Sequence, residues 1–247
     1  MTQIRKPTAG LAQSTVPTKT DPLVEGIQRG KSTQRRIAKA WKTYLSLKTE
    51  FGPRYHNAEE LVKDIELTPS DVEPFCLGLG KQQRPVLNGH NAGLFLSALI
   101  NKSAGTRFYL HVKGWRDPPC ELGIFNTKHL IVEGDVGMWL GWHMKGGSIM
   151  VQGNASEHTG HGLENGLIKI EGNVEAGCGD YMKNGVIYVF GEVVGFDREI
   201  GRISSGGMIH IDGNRCGFID GRGQHARVFH KGVELEYDTR VYQTPAT

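Results

Sequence analysis

Glycine recurs at a fixed interval through the second half of this 247-residue chain. Members of one series are separated by 20, 19, 19, 19 and 22 residues, and they are Gly114, Gly134, Gly153, Gly172, Gly191 and Gly213. Most of them are followed by a second glycine after seven residues and a third after six more, and then by a short apolar stretch. A period near 20 residues, with strands too short to bury a face alone, is the signature of a solenoid.

The glycines of this repeat are predicted to be structural. The chain has 34 glycines, and 25 of them lie between residues 105 and 223. Corners of a tightly wound chain need residues that tolerate positive φ, which glycine does without strain. The structural set comprises Gly134, Gly141, Gly147, Gly153, Gly160, Gly166, Gly172, Gly179, Gly185, Gly191, Gly201, Gly207 and Gly213.

Alternation within the short strands predicts an inside and an outside. Since side chains alternate along a strand, five aliphatic pairs should stack inward, one pair per coil. These pairs are Leu130/Val132, Ile149/Val151, Ile168/Ile170, Ile187/Val189 and Ile209/Ile211, and Met144, Leu163 and Met182 form a further inward ladder that Ser204 interrupts. Parallel crossovers are nearly always right-handed. The prediction is therefore a mainly β chain, a right-handed parallel β-helix of about five or six coils of about 19 residues.

The chain divides into four predicted regions. Residues 1–30 form a disordered basic arm, 31–104 a mixed and mostly helical region, 105–222 the β-helix and 223–247 a C-terminal tail. In the helical region, Ser32 or Thr33 can cap a first helix that carries Ile37 and Trp41 on one face. Further helices are predicted from Asn57 through the segment AEELVKDI, and over residues 90–102.

Charge and composition restrict the setting. Residues 1–55 carry eleven Lys and Arg against three acidic residues, a net charge of +8, so the remaining residues sum to −5. No apolar run approaches the length of a membrane span, and the first residues lack the apolar core of a secretory signal. The four cysteines are scattered without a CxxC pair, which disfavours a disulfide scaffold or a self-contained cluster. These features favour a cytoplasmic protein.

The repeat unit resembles a known family. The stretch GDVGMWLGWHMKGGSIMVQGN, residues 134–154, is similar to the C-terminal GXGXG domain of the glutamate synthase large subunit. The same β-helix occurs as one subunit of formylmethanofuran dehydrogenase and in stand-alone third subunits of glutamate-synthase-like enzymes. The stand-alone subunits also carry a segment similar to VLNGHNAGL, residues 86–94, before their β-helix.

The resemblance implies a supporting role. In glutamate synthases, a glutaminase domain releases ammonia, a domain with FMN and an iron–sulfur cluster makes glutamate, and the β-helix holds the two in register without catalytic residues. It thus implies a non-catalytic subunit of an oligomeric oxidoreductase complex for glutamate biosynthesis, with FMN and the cluster on partner subunits and no cofactor or metal on this chain. One alternative is the β-helical subunit of a formylmethanofuran dehydrogenase or formyltransferase/hydrolase complex. Another, disfavoured, is a stand-alone protein that grips nucleic acid with its basic arm.

Two sets of side chains are predicted to face a partner. The residue after the second glycine changes from coil to coil, which structure alone does not require, and the set reads Trp142, His161, Asp180 and Arg202. A three-residue insertion swells one coil and places an aromatic and charges of both signs together, namely Phe196, Asp197, Arg198 and Glu199. Insertions in solenoids map to loops and often to binding faces.

One cluster has the residue types of a metal site. His158 and His161 lie three residues apart, and Cys178 occupies the coil position of Thr159, one period later. Zinc takes three or four such ligands. We interpret these residues as corner residues at the solvent edge, and Cys178 as a small packed residue, since no basic neighbour would lower its pKa. The glycines do not indicate a nucleotide site, because no helix follows any of them.

Overall fold

The structure, a computed structural model, describes residues 22–47, 54–81, 89–194, 199–214, 216, 219 and 225–235. Four helices precede the repeat: α1 (Pro22–Ser46), α2 (Arg54–Val62), α3 (Pro69–Lys81) and α4 (Gly89–Lys102). Helix α1 begins at Pro22, so residues 22–30 belong to a helix and not to the predicted disordered arm. Ser32 and Thr33 are consequently interior helical residues, and Pro22 takes the first helical position, which suits its fixed φ.

An aromatic cluster joins the helices to one another. The ring of Phe95 in α4 lies 5.0 Å from Trp41 and 5.4 Å from Tyr44 of α1, and 5.7 Å from Phe75 of α3. Ile37 is fully buried. The predicted docking of the apolar face of α1 onto the body is therefore confirmed, and Lys31, Arg35, Arg36, Lys39 and Lys42 remain exposed on the opposite side.

The second half is a parallel β-solenoid of about six turns, as predicted. Seven strands stack in parallel in chain order and an eighth pairs antiparallel with the seventh. The strands are β1 (Arg107–His111), β2 (His129–Glu133), β3 (Ser148–Gln152), β4 (Leu167–Ile170), β5 (Val186–Val189), β6 (Met208–Ile211), β7 (Arg227–His230) and β8 (Val233–Glu234). Paired positions advance by 19 residues at most steps and by 22 from Val186 to Met208, which places the predicted insertion in that coil.

The predicted interior is confirmed residue by residue. All five aliphatic pairs on the strands are at most 1% exposed, and Met144, Leu163 and Met182 are fully buried. A second stack of Val136, Ala155, Val174 and Val193 is joined by parallel bridges on another wall of the coil. Together with the buried residues of the helices these side chains make one continuous core.

The first glycine of each period marks the closest approach between coils. A Cβ on Gly153 would lie 2.5 Å from the carbonyl oxygen of Gly134, a backbone atom that has no room to move away. The following side chain completes the contact, because Asp135 Oδ1 accepts a 2.7 Å hydrogen bond from the backbone nitrogen of Asn154. The next coil repeats this arrangement with Asn154 Oδ1 and the nitrogen of Asn173. Side chain and backbone therefore fix the coil spacing jointly.

The solenoid extends past the predicted boundary at residue 222. Strand β7 continues the parallel stack inside the range assigned to a C-terminal tail, 223–247. Its register places Ala226 where the preceding coil has Gly207, so the glycine mark of the repeat is missing there. The buried hydroxyl of Ser204, which interrupts the inward ladder, accepts hydrogen bonds from the backbone nitrogens of His225 and Ala226. Ser204 thus helps to hold this last coil.

Helix α4 docks directly on the first coil. The His90 Nδ1 atom lies 2.7 Å from Glu121 Oε1, and the carbonyl oxygen of Gly89 accepts a 3.0 Å hydrogen bond from the nitrogen of Cys120. At Gly93, a Cβ would overlap the carbonyl oxygen of Cys120. The part of the VLNGHNAGL segment within the described residues, 89–94, is therefore the junction between the helices and the solenoid.

Candidate functional site

One edge of the solenoid carries side chains that do not repeat. We define the turn edge as the residues two before, one after and two after the second glycine of each coil. The three columns read Glu121, Trp139, His158, Gly177 and Glu199; then Ile124, Trp142, His161, Asp180 and Arg202; then Phe125, His143, Gly162, Tyr181 and Ile203. The inner ladders, by contrast, repeat one aliphatic type. The turn edge is therefore where the coils differ from one another chemically.

Aromatic and imidazole rings run along this edge in continuous contact. The ring of Trp139 stacks on His158 at 4.4 Å and meets the edge of His161 at 4.6 Å. Tyr181 continues the row at 4.8 Å from His161, and Trp142 lies 5.4 Å from Trp139. Tyr181 is 42% exposed and the others are half-buried. The row is a partly desolvated aromatic surface open on one side.

The backbone beneath the row lies largely in the left-handed region. Seven of the eight non-glycine residues with positive φ belong to the turn edge, and they are Glu121, Phe125, Trp139, His143, His158, Tyr181 and Ile203. In this region a side chain costs about 1 kcal/mol, and a β-branched residue is a genuine outlier. Gly162 and Gly177 occupy two of the same column positions, so glycine fits there.

Two histidines and an aspartate from consecutive coils form a compact group. One ligand atom from each of His158, His161 and Asp180 lies within 4.8 Å of the others. The Nδ1 atom of His158 is 3.9 Å from Asp180 Oδ2, which exceeds hydrogen-bonding distance. In the part of the chain that the structure describes, the Nδ1 atoms of both histidines are buried without a hydrogen-bond partner. We call these three residues the imidazole–carboxylate cluster.

Asp180 is held in place by the next coil. Its carboxylate is fully buried, and Oδ1 accepts a 3.0 Å hydrogen bond from the backbone nitrogen of Arg202 while Oδ2 accepts one from Arg202 Nη2 at 3.0 Å. Arg202 Nη1 also donates to Glu199 Oε2 at 3.3 Å. Burial raises the pKa of Asp180, and the Arg202 guanidinium opposes that shift. The two carboxylates together outnumber the guanidinium by one negative charge.

His161 is neutral at physiological pH. Burial, reinforced by the neighbouring His158, His143 and Arg202, lowers its pKa to about 4. A neutral imidazole keeps one nitrogen lone pair available, so the ring is able to accept a hydrogen bond or to bind a metal.

Glycine keeps the cluster open. A Cβ on Gly177 would overlap His158 Nδ1 and lie 3.2 Å from Asp180 Oδ2. Gly162 plays the same part for His143, whose Nδ1 would lie 2.6 Å from a Cβ at that position. Each imidazole thus lies over a glycine one coil further on.

The structure separates the predicted site residues into three groups. Trp142, His161, Asp180 and Arg202 form one column along the turn edge, although Asp180 is buried rather than exposed to a partner. Glu199 lies beside that column, while Phe196, Asp197 and Arg198 fall outside the described residues. Cys178 is buried in the interior with a parallel bridge to Ile200, and burial raises its pKa to about 12. The thiol is therefore a packed core residue, and Asp180 is the residue that accompanies the two imidazoles.

Sequence reasoning missed Trp139 and Tyr181 as edge residues and Asp180 as a companion of the histidines. The signal was present, because Asp180 follows His161 by 19 residues, one coil period. Residues separated by one period stack directly in a solenoid. Trp139 and Tyr181 are the column neighbours of His158 and His143 by the same count.

The fold and the turn edge define a helix-capped β-solenoid with one chemically varied edge. The chain matches no protein-family model, no curated protein and no solved structure. No helix among the described residues has the length and apolar character needed to cross a membrane.

Proposed function

We propose that this chain is a non-catalytic docking subunit of a cytoplasmic, glutamate-synthase-type oxidoreductase complex. It places a glutaminase-like subunit and a subunit with FMN and an iron–sulfur cluster, and it engages them along the turn edge. The observation that carries the docking role is the row of half-buried, non-repeating rings on an otherwise regular solenoid. Trp, Tyr and Arg are the residue types that dominate the binding energy of protein interfaces.

Backbone strain supports a role for these side chains. Replacing a bulky residue at a left-handed position by glycine would relieve about 1 kcal/mol, yet the edge keeps a tryptophan, a tyrosine and an isoleucine there. Ile203 is 51% exposed, so burial within the chain does not account for it. Strain of this kind is concentrated at functional sites.

An unmet hydrogen bond also points outward. In the described residues, Trp142 Nε1 is buried without an acceptor. An unsatisfied buried donor costs about 1–3 kcal/mol, which a carbonyl or carboxylate of a docked partner would recover. An interface centred near Trp142 would therefore bind more tightly than the area of one ring implies.

The choice of complex rests on the repeat motif. The GDVGMWLGWHMKGGSIMVQGN unit and the HNAGL segment resemble glutamate-synthase components, and the structure uses the second of these as the junction between α4 and the first coil. A formylmethanofuran dehydrogenase complex would use the same repeat without that segment.

Co-purification of the untagged chain from its native cells, with identification of the bound subunits, tests the proposal. We expect a flavin-containing iron–sulfur subunit and a glutaminase-like subunit at fixed stoichiometry. Amidohydrolase and formyltransferase subunits would instead assign the chain to the formylmethanofuran type. Recovery of nucleic acid, with an affinity that falls steeply with salt, would favour the basic-arm alternative.

Two exposed tyrosines provide a matched pair for the edge itself. Tyr181 lies on the turn edge at 42% exposure, whereas Tyr109 lies on β1 at 49% exposure. We expect Tyr181→Ser to reduce the retained partner at least severalfold in a salt wash, and Tyr109→Ser to leave it unchanged. Equal retention by the two variants would place the docking surface elsewhere.

A further inference from the structure

The imidazole–carboxylate cluster has the composition of a transition-metal site. Its ligand atoms come from two imidazoles and a carboxylate, a donor set that suits Zn²⁺ and its neighbours, whereas Mg²⁺ and Ca²⁺ prefer oxygen ligands alone. We propose that His158, His161 and Asp180 bind one Zn²⁺-class ion and leave at least one coordination position open. The expectation of a metal-free chain, based on sequence, would then be wrong.

The distances are close to those that zinc needs. Tetrahedral ligands at about 2.0–2.1 Å from zinc lie about 3.4 Å from one another. The largest separation in the cluster is 4.8 Å, so a movement of about 0.7 Å by each of two side chains closes it. Rotation of an imidazole about its side-chain torsions provides such a movement without a change in the coil backbone.

The unpaired nitrogens are a second, independent observation. The structure buries the Nδ1 atoms of His158 and His161 and gives neither a hydrogen-bond partner within the described residues. Buried polar atoms are nearly always paired, and unpaired ones often indicate a missing ion or water. Both unpaired atoms belong to the group whose third member is a fully buried carboxylate.

The surroundings orient the carboxylate and balance its charge. The backbone nitrogen and the guanidinium of Arg202 fix Asp180 by two 3.0 Å hydrogen bonds, as outer partners commonly fix metal ligands. Glu199 shares the Arg202 charge, so Asp180, Glu199 and Arg202 together carry one net negative charge. Gly177 keeps the space between His158 and Asp180 free of a side chain.

Without metal, the same group would be a histidine near an ion-paired aspartate, and titration with metal separates the two descriptions. The probe is Zn²⁺ added to the untagged full-length chain after chelator treatment, followed by isothermal titration calorimetry and by the Co²⁺ absorption spectrum. We expect one equivalent of saturable Zn²⁺ binding, Co²⁺ bands typical of a low-coordinate nitrogen and oxygen site, and a rise in Tm with Zn²⁺ but not with an equal concentration of Mg²⁺.

Matched variants locate the site. His158→Gln and His161→Gln should each weaken Zn²⁺ binding at least tenfold, and the double variant at least a hundredfold. Asp180→Asn should also weaken it, although this variant disturbs the Arg202 pair. The control is His210→Gln, which removes an imidazole from the outer face of β6 and should change the affinity less than threefold.

Two results overturn the proposal. One is the absence of a saturable single equivalent of Zn²⁺ on the wild-type chain, and the other is wild-type affinity in the double variant. If the double variant does not fold, as judged by its circular dichroism, the two single variants decide the question by the same criterion. All of these measurements use the isolated chain, so they are independent of any docking partner.

Discussion

The inner ladders and the turn edge share one spacing but differ in chemistry. At the interior, Ile149, Ile168 and Ile187 follow one another at 19-residue steps and pack the same aliphatic group each time. At the edge, the same step carries Trp142 to His161 and then to Asp180. Coil geometry demands repetition only where side chains stack in the core. A solenoid can therefore vary one edge freely while its interior holds the fold.

The largest contrast should come from two neighbouring residues on β4. Ile168 is fully buried and Lys169 points outward, 5.3 Å from the ring of Phe190. Ile168→Asp should destabilise the chain by more than about 4 kcal/mol, because it buries an unpaired charge in the core. Lys169→Asp should cost less than about 1 kcal/mol. Chemical denaturation measures both, and equal losses would mean that the inside and outside assignments are exchanged.

Thiol chemistry should separate interior from surface next. Burial raises the pKa of Cys178 to about 12, well above the ordinary value of a cysteine thiol. The thiolate fraction at neutral pH falls about 1,000-fold as a result, so Cys178 should react with iodoacetamide only after the chain unfolds. Peptide mapping of native and urea-unfolded protein gives the comparison, with Cys120, which is only half-buried, as the internal reference. Rapid native labelling of Cys178 would show that the last coils open.

Glycine should be indispensable at the coil contact and dispensable in a helix. Gly153→Ala should cost about 2–3 kcal/mol, since the new Cβ meets the backbone of Gly134. Gly78 lies within α3 with nothing within 4 Å of a Cβ. Gly78→Ala should therefore stabilise the chain by about 0.5–1 kcal/mol. Thermal unfolding of the pair checks the opposite signs, and a shared sign would remove the distinction.

The smallest effect should appear on the turn edge, with the sign reversed. Ile203 has φ of 53° and is 51% exposed, so the interior gains little from it. Ile203→Gly should be about 1 kcal/mol more stable than Ile203→Ala, because only glycine relieves the left-handed strain. Urea titration of the two variants gives the difference. A more stable alanine variant would mean that the edge backbone is not strained.

The regular parts of the fold were predictable, and the departures show what sequence does not display. The inward placement of Ile168 and Ile170 follows from alternation. Helix α3 was missed because Pro74, Gly78 and Gly80 lie inside it, and tertiary packing overrides their poor helical propensity. The last coil was missed because Ala226 replaces the expected glycine.

The candidate site was predictable only in its ingredients. The spacing of His158 and His161 drew attention to a metal, and the period placed Cys178 and Asp180 on the next coil. Which of the two faces the imidazoles depends on backbone torsions in the turn, with His158 and Tyr181 both at positive φ. Those torsions have no distinct signature in residues that rarely adopt them.

The two ends of the sheet determine how copies of this chain can assemble. At one end, the backbone nitrogen of Tyr109 on β1 donates a 3.0 Å hydrogen bond to Glu73 of α3. At the other, the two-residue β8 lies antiparallel on β7, joined by paired hydrogen bonds from Arg227 to Glu234. Open edges are what allow sheets to grow into fibres. With both ends covered, the stack cannot lengthen head to tail unless α3 or β8 is displaced, so higher assemblies of this chain have to form side by side.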